Sequence, residues 1–529
     1  MKRCPECSRD YYDDTLSFCL EDGTPLRGGA AAIEAATALI SGQSEEQATF
    51  ALPVQEAANR DHGNSVAVLP FVHMSADADN EYFCDGLAEE LMSALAKIDD
   101  LKVAARTAAF SFRGKNVPMA EIGRALNVNS ILEGSVRKAG NRVRITVQLI
   151  NAMDGYHLWS ERYDRDMQDI FEVQDEITLA VVDALKVKLL GAEKKAVLKR
   201  HTNNAEAYQL YLRGRYFFYK RTPEGFLKAI ECFKNAIELD PNYAVAISGL
   251  ADSYAFLGFY EVEPPGGMAV KVGPLATRAM EIDDTLAETN TSFALLKTLY
   301  EQDHKASIEY FDRAIKADPK YAFAYHLESA VSIVLGNRER AIAAEKRAIE
   351  IDPFTPVFNA SLGWWYYIAG RNDEAIVQSK LTIDIAPNHF FAYWVLGLAY
   401  ARAGAYSDAV VALQRGTALN QFESHVRADL GRVLAVMGER DEAQQVLADF
   451  QQLSEKQYVS PVNFARIYIG LGENEMAIEQ LKRACKEGAV RLSWLLVDPI
   501  LDHLHDDPRY RDIRLRAGLP ADEPPRRRA

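Results

Sequence analysis

The sequence has few cysteines and no long apolar run, and these absences exclude several classes of protein. Six cysteines occur in 529 residues, without the dense and even spacing of a secreted disulfide framework. No stretch of about 18 apolar residues is present, so no transmembrane helix is predicted. The N-terminus carries cysteines where a signal peptide would have its apolar core. These features predict a reducing, cytoplasmic compartment.

The chain also lacks an excess of positive charge. Lysine and arginine number 60 against 75 acidic residues, which leaves a net charge of −15. Nucleic-acid binding needs clustered basic residues, and the one dense basic run is the short tail "PPRRRA", so no nucleic-acid partner is expected. Phosphate-loop motifs and the kinase motif set are missing as well. We therefore expect a protein that is not an enzyme.

A cysteine-rich head occupies residues 1–26 and has the spacing of a metal site. Cys4 and Cys7 form a C-x2-C pair, and Cys19 follows. Asp22 stands where the fourth cysteine of a zinc ribbon would be, and a carboxylate is a permitted zinc ligand. The head resembles zinc-ribbon starts of bacterial regulatory proteins. A Cys3Asp zinc site and a degenerate ribbon with three free thiols both remain open.

Residues 27–63 read as a flexible linker, and residues 64–195 are predicted to form an α/β domain. "SVAVLPF" indicates a buried strand, and "RVRITVQL" alternates apolar and polar residues as a half-buried antiparallel strand does. With "NEYFCDGLAEELMSALAKI" and "ILEGSVRKAGNRVRITVQLI", the segment resembles the amino-terminal domain of TolB-like proteins and the related FlgO fold. The resemblance implies the sensory or scaffold half of bacterial systems that often carry a DNA-binding, cyclase or kinase output domain.

No active site is predicted in this α/β domain. Charged residues such as Glu89 and Arg106 are interpreted as solvated faces. Cys84 and Asp85 have no matching histidine for a nucleophilic triad. A small-molecule or nucleotide site remains the alternative function for the domain.

From about residue 205 the sequence repeats itself. "AIECFKNAIELDPNYA" recurs as "SIEYFDRAIKADPKYA", and Pro319, Pro353 and Pro387 are 34 residues apart. A 34-residue helix–turn–helix period is typical of the tetratricopeptide repeat (TPR). Seven or eight repeats are predicted over 205–490. Residues 491–520 then form a C-terminal helical cap over the last open apolar face, before a disordered tail at 521–529.

We therefore expect a multidomain fold, α/β plus all-α, in which the α/β domain is followed by a right-handed TPR α-solenoid. The resemblance to TPR proteins implies that a partner protein or peptide binds the inner face. The repeat register places six candidate partner-binding residues there: Phe323, His326, Trp364, Tyr367, Phe391 and Trp394. Such aromatics suit a peptide hot spot, although they can equally fill space between repeats.

The expected function is that of a non-enzymatic interaction scaffold or regulatory protein. Two alternatives stay open. The α/β domain could sense a ligand, or the chain could act as a subunit that works in trans with a kinase, cyclase or transcription regulator.

Overall fold

The computed structural model describes residues 64–74, 81–189, 194, 197–420 and 424–521, together with three two-residue strands near the N-terminus. The chain divides into two compact units, residues 1–60 and 61–529. In the first unit, β1 pairs antiparallel with both β2 and β3. These strands are β1 (Lys2–Arg3), β2 (Asp10–Tyr11) and β3 (Arg27–Gly28). The predicted linker therefore begins with two residues that pair as a strand, and its remainder lies outside the described residues.

The second unit begins with a six-stranded mixed sheet. The strands are β4 (Ser65–Val68), β5 (Val72–His73), β6 (Lys102–Val103), β7 (Ser130–Ala139), β8 (Arg142–Asn151) and β9 (His157–Asp166). Their order is β6-β4-β7-β8-β9, with β5 beside β7. β4 runs parallel to β6 and β7, whereas β7, β8 and β9 form an antiparallel meander. The alternation in β8 buries Val143, Ile145, Val147 and Leu149, as period-two patterning requires.

Four helices accompany the sheet in the described residues. They are α1 (Glu81–Ala96), α2 (Arg106–Phe110), α3 (Met119–Leu126) and α4 (Ile170–Ala184). The sequence predicted about five strands and three helices. The additional elements are short, since β5 has two residues and α2 has five, and so few residues carry no recognisable period.

Sixteen further helices of the described chain form eight helical hairpins. Their first helices are α5 (Ala205–Phe218), α7 (Ala244–Phe259), α9 (Ala287–Leu299), α11 (Ala322–Val334), α13 (Pro356–Ile368), α15 (Phe390–Arg402), α17 (Ser424–Met437) and α19 (Pro461–Leu471). Their second helices are α6 (Pro223–Leu239), α8 (Pro265–Ile282), α10 (His304–Ala317), α12 (Arg338–Ile351), α14 (Asn372–Ile385), α16 (Tyr406–Leu419), α18 (Arg440–Ser454) and α20 (Asn474–Glu487).

The last five hairpins share a glycine turn between their two helices. The turn glycines are Gly336, Gly370, Gly404, Gly438 and Gly472, all with positive φ. They repeat with the 34-residue period because each hairpin needs one left-handed residue to end its first helix, and glycine adopts that conformation without a Cβ clash.

The α/β part packs on the hairpins at several points. The Thr107 hydroxyl donates to the carboxylate of Asp352 over 2.7 Å. Lys320 donates to the carbonyl of Ala96 over 2.6 Å. Glu89 on α1 accepts from Arg215 on α5. The sheet and the solenoid therefore share one continuous core.

The chain ends in a C-terminal segment made of α21 (Leu492–Leu495), a 3-10 turn (Pro499–Leu504) and α22 (Pro508–Arg516). Arg509 in this segment pairs with Glu475 on α20, so it packs on the last hairpin. No helix in the described part of the chain combines the length and apolar composition needed to cross a lipid bilayer.

A candidate binding cavity on the inner surface of the solenoid

The first helices of hairpins two to eight line one cavity of about 130 Å³. We call the face of the solenoid that these helices form its inner surface. Four of the six predicted partner-binding residues lie in its wall: His326, Trp364, Phe391 and Trp394. These four residues come from the first helices of three successive hairpins.

The aromatic rings in the wall form a contact cluster. The Trp364 ring lies 5.0 Å from that of Trp394 and 5.8 Å from that of Phe391. Phe391 and Trp394 stack with ring centroids 5.4 Å apart. Phe323 lies beside the cavity, with its ring 6.2 Å from His326. Offset and edge-on contacts of this kind favour a rigid aromatic surface.

Tyr367, the sixth predicted residue, lies elsewhere. It is buried, and its hydroxyl donates to Asp498 of the C-terminal segment over 2.8 Å. It lines a second cavity of about 310 Å³ together with Arg432 and Asp502. The sequence placed Tyr367 on an open inner face, whereas the chain's own C-terminal segment covers this part of the face.

A buried carboxylate holds His326 in place from behind the wall. Nδ1 of His326 lies 2.9 Å from Oε1 of Glu345, which is fully buried on α12. Trp365 Nε1 and the Ser329 hydroxyl also donate to Glu345. A carboxylate there accepts the Nδ1 proton, and Nε2 of His326 has no hydrogen-bond partner among the described residues. This nitrogen is therefore available to a ligand in the cavity.

A second buried carboxylate holds Trp394. Asp429 on α17 accepts hydrogen bonds from Trp394 Nε1, Arg432 Nε and Arg466 Nη1, each over 2.8 Å. Burial alone would raise the pKa of Asp429, but the charges of Arg466 and Arg432 hold it below its ordinary value. The carboxylate is therefore ionised at neutral pH, and it ties α15, α17 and α19 together.

The charge of the wall differs from that of the whole chain. Three arginines and two histidines line the cavity, and none of the described lining residues is aspartate or glutamate. The guanidinium of Arg221 lies 4.8 Å from the ring centre of Phe256 and 5.3 Å from that of Phe323. Such contacts place a cation against aromatic faces at the cavity.

The C-terminal segment closes one side of the cavity. Trp494 Nε1 donates to the carbonyl of Ala330 over 3.0 Å, and the Trp494 ring meets Phe259 edge-on at 5.8 Å. Arg491 donates to the carbonyl of Phe259 over 2.9 Å. These contacts join the end of the chain to the second and fourth hairpins.

The closing segment is a structural part of the solenoid and is not a loosely held flap. Its four residues Leu492, Leu495, Leu496 and Leu501 have no exposed surface. At about 1.5–3 kcal/mol for each buried leucine, their burial contributes roughly 6–12 kcal/mol. The predicted cap thus packs on the last hairpin and also crosses the inner surface, where His304 Nε2 lies 3.2 Å from the carbonyl of Ala517.

The sequence missed several residues of this cavity. Arg221, Arg491 and Trp494 line it, yet none falls in an inner-face position of the repeat register. Arg221 belongs to the turn between α5 and α6, where its φ is +52°. The apolar run around Trp494 signalled burial but carried no information about where the segment would pack.

Two other predictions about the α/β part can be compared with the structure. Glu89 is not on a solvated face, because it is buried and accepts hydrogen bonds from Arg106 and Arg215. Burial together with the neighbouring Asp85 raises the pKa of Cys84 to about 12. The thiol is therefore protonated at neutral pH and unsuited to act as a nucleophile.

The candidate zinc ligands Cys4, Cys7, Cys19 and Asp22 lie outside the described residues. Within the described ranges, no three His, Cys, Asp or Glu side chains are placed to hold a metal ion. Zinc in the head therefore stays a prediction from the sequence.

Comparison with known proteins identifies the repeats. Residues 298–321 and 462–487 match the tetratricopeptide repeat family. Together with the eight hairpins, these matches support the prediction of tetratricopeptide repeats in this part of the chain. Residues 62–180 match the second domain of HilA/YgeH-like transcriptional regulators. The resemblances to TolB-like proteins and zinc ribbons remain predictions.

Two curated relatives cover parts of the chain. "Putative adenylate cyclase 3" of Rhizobium meliloti (strain 1021) is 36% identical over 249 residues, or 45% of this chain and 42% of that protein. "Transcriptional regulator HilA" of Salmonella typhimurium is 22% identical over 179 residues, or 33% of this chain and 31% of that protein. The chain thus spans less than half the length of either relative.

Among solved structures, a protein of Thermus thermophilus described as a thermophilic TPR protein is 19% identical. The match covers 39% of this chain and 99% of that chain with a TM-score of 0.31.

Proposed function

We propose that this chain is an interaction scaffold that holds a partner protein or peptide on the inner surface of its TPR solenoid. The observation that carries the proposal is the aromatic cluster around Trp364, built from successive hairpins and open to a cavity. Large aromatic side chains in a pocket are typical anchors of binding energy. TPR proteins generally mediate protein–protein interaction, which agrees with this assignment.

The six predicted residues have two different roles in the proposal. Phe323, Trp364 and Phe391 are half-buried, so part of each ring remains available to a partner. His326 and Trp394 are buried and position the surface from below, whereas Tyr367 is buried at the second cavity. The partner therefore contacts the first three directly.

The scaffold acts without catalysis in this proposal. The sequence carries no phosphate loop and no kinase motif set, and the buried Cys84 thiol is protonated at neutral pH. The name of the Rhizobium relative describes that protein, and the match covers 42% of its length. A cyclase activity is therefore not transferred to this chain. A cytoplasmic location is part of the proposal, and the cysteine usage supports it.

A regulatory role is the second candidate, and the match of residues 62–180 to a transcriptional-regulator domain favours it. The α/β part is anchored to the hairpins through Thr107 and Asp352. Partner binding at the solenoid could be passed through these contacts to a separate output protein. In that case the chain acts in trans as a signalling subunit.

Site-specific crosslinking tests the scaffold. A photoreactive amino acid replaces Phe323 in the full chain, and a matched chain carries it at Val411, which is exposed on the second helix of its hairpin. We expect a defined crosslinked partner from position 323 alone. Trp364→Ala in the first chain should reduce its yield while the melting temperature shows that the fold persists. Equal crosslinking from both positions, or a yield indifferent to Trp364→Ala, would contradict the proposal.

A further inference from the structure

The cavity wall is positively charged in a strongly acidic protein. The chain has a net charge of −15, yet the described lining residues include three arginines and no carboxylate. A cavity that is both aromatic and cationic is complementary to an apolar group that carries a negative charge.

Among the arginines of the cavity wall, Arg221 differs from Arg466 in its ion pairing. Arg466, by comparison, is paired with Asp429 at 2.8 Å and with Asp498 at 3.5 Å. The Arg221 side chain makes no ion pair or hydrogen bond within the described residues, and its guanidinium lies against the rings of Phe256 and Phe323. An unneutralised guanidinium, held against aromatic rings, favours a bound anion.

Two further polar atoms in the wall lack partners. Trp364 Nε1 is a buried donor with no acceptor in the described chain. His326 is 7% exposed, and its Nε2 is likewise unpartnered. With its proton on Nδ1, His326 presents Nε2 as an acceptor, so the unpartnered donor is Trp364 Nε1. A buried donor without an acceptor is costly, so a ligand oxygen beside Trp364 Nε1 would relieve an existing penalty.

The volume limits the size of the ligand. The cavity measures about 130 Å³, and an apolar cavity of about 150 Å³ accepts a benzene molecule. The enclosed space is therefore about the size of a single aromatic ring, and it is too small for an extended peptide.

We propose that the cavity binds an aromatic ring bearing a carboxylate, with the ring against the half-buried Trp364 and Phe391 and the carboxylate towards Arg221. The inference rests on the proposed function, because the same aromatic surface would receive the partner. The ligand is either a free aromatic acid or the C-terminal residue of a partner whose last side chain is aromatic. Both sources offer the same chemistry to the wall.

Calorimetric titration of the full chain tests the inference. Phenylacetate should bind saturably with one site per chain and more tightly than benzyl alcohol or acetate, which each lack one of the two features. Arg221→Gln should weaken phenylacetate binding roughly tenfold to a hundredfold, and Arg221→Lys should retain most of it. Arg313→Gln is the matched control, since Arg313 lies 5.2 Å from the ring centre of Tyr310 and outside the cavity wall.

A second titration with peptides distinguishes a free aromatic acid from the C-terminal residue of a partner. A short peptide ending in phenylalanine is titrated with a free and with an amidated C-terminus. Binding of the free-acid peptide without phenylacetate binding assigns the site to a partner's C-terminus, and the reverse assigns it to a free acid. Binding of neither, equal affinity for benzyl alcohol, or no effect of Arg221→Gln in a folded variant overturns the inference. If crosslinking at position 323 persists in that case, the scaffold proposal stands.

Discussion

Replacing Asp429 by asparagine should destabilise the solenoid where α15, α17 and α19 meet. Asp429 has no exposed surface and accepts three hydrogen bonds, from Trp394, Arg432 and Arg466. The asparagine amide keeps the shape, but its NH2 group must face at least one of these donors. Two buried guanidinium groups also lose the charge that neutralises them.

The expected cost is about 3–5 kcal/mol, the usual result of removing one partner of a buried ion pair. Asp449→Asn is the matched control, because Asp449 pairs with Arg427 where both side chains are about one-third exposed. Such a pair contributes about 0–1 kcal/mol. Both variants lose one carboxylate charge, but only Asp429 is buried. The difference between their losses of stability therefore measures the effect of burial.

Native-state hydrogen exchange is the suitable assay, because a repeat array need not unfold in two states. Amide protection in α15, α17 and α19 should fall roughly a hundredfold to several thousandfold in Asp429→Asn and stay nearly unchanged in Asp449→Asn. The pKa of Asp429 is lowered from its ordinary 3.8, so its contribution is present above that pH and is lost as the pH falls through the lower folded value. Equal effects of the two substitutions at pH 7 would refute the reasoning.

Three further outcomes are expected. Burial raises the pKa of Asp252 to about 7 against an ordinary 3.8, so stability falls as the pH rises between these values. Asp252→Asn should therefore raise the melting temperature at pH 8 and not at pH 4. The gain in the free energy of unfolding at pH 8 is at most about 4 kcal/mol. Gly404→Ala should lower the free energy of unfolding by about 1 kcal/mol because the φ of Gly404 is +79°. Gly273→Ala inside α8 should raise it by about 0.5–1 kcal/mol. Thermal denaturation measures both changes. Elemental analysis should find one zinc ion per chain and none in Cys19→Ala, and a zinc-free wild type would identify a degenerate ribbon.

The repeat pattern could be predicted because it is local. Pro319, Pro353 and Pro387 end equivalent helices, and each hairpin packs mainly on its neighbours, so every repeat faces the same requirement. The alternation in β8 could be predicted for a similar reason. Successive side chains of a strand point to opposite faces, so a strand with one buried face alternates apolar and polar residues. Neither inference needed knowledge of distant parts of the chain.

The candidate site was only partly predictable. The register placed His326, Trp364, Phe391 and Trp394 in one wall, but it could not tell which rings stay accessible. Trp394 is buried, and Asp429 accepts its indole N–H. That partner lies on another hairpin, and nothing in the local sequence around Trp394 indicates it.

The sequence by itself determined the array of helical hairpins and the aromatic character of its inner face, because both follow from short-range periodicity. Only the tertiary structure decided that the C-terminal segment returns across that face. There Trp494 donates a hydrogen bond to the carbonyl of Ala330, and Asp498 accepts one from Tyr367. Each of these contacts joins residues more than a hundred positions apart. Such contacts depend on how several hairpins stack on one another, and a short-range pattern carries no information about that stacking.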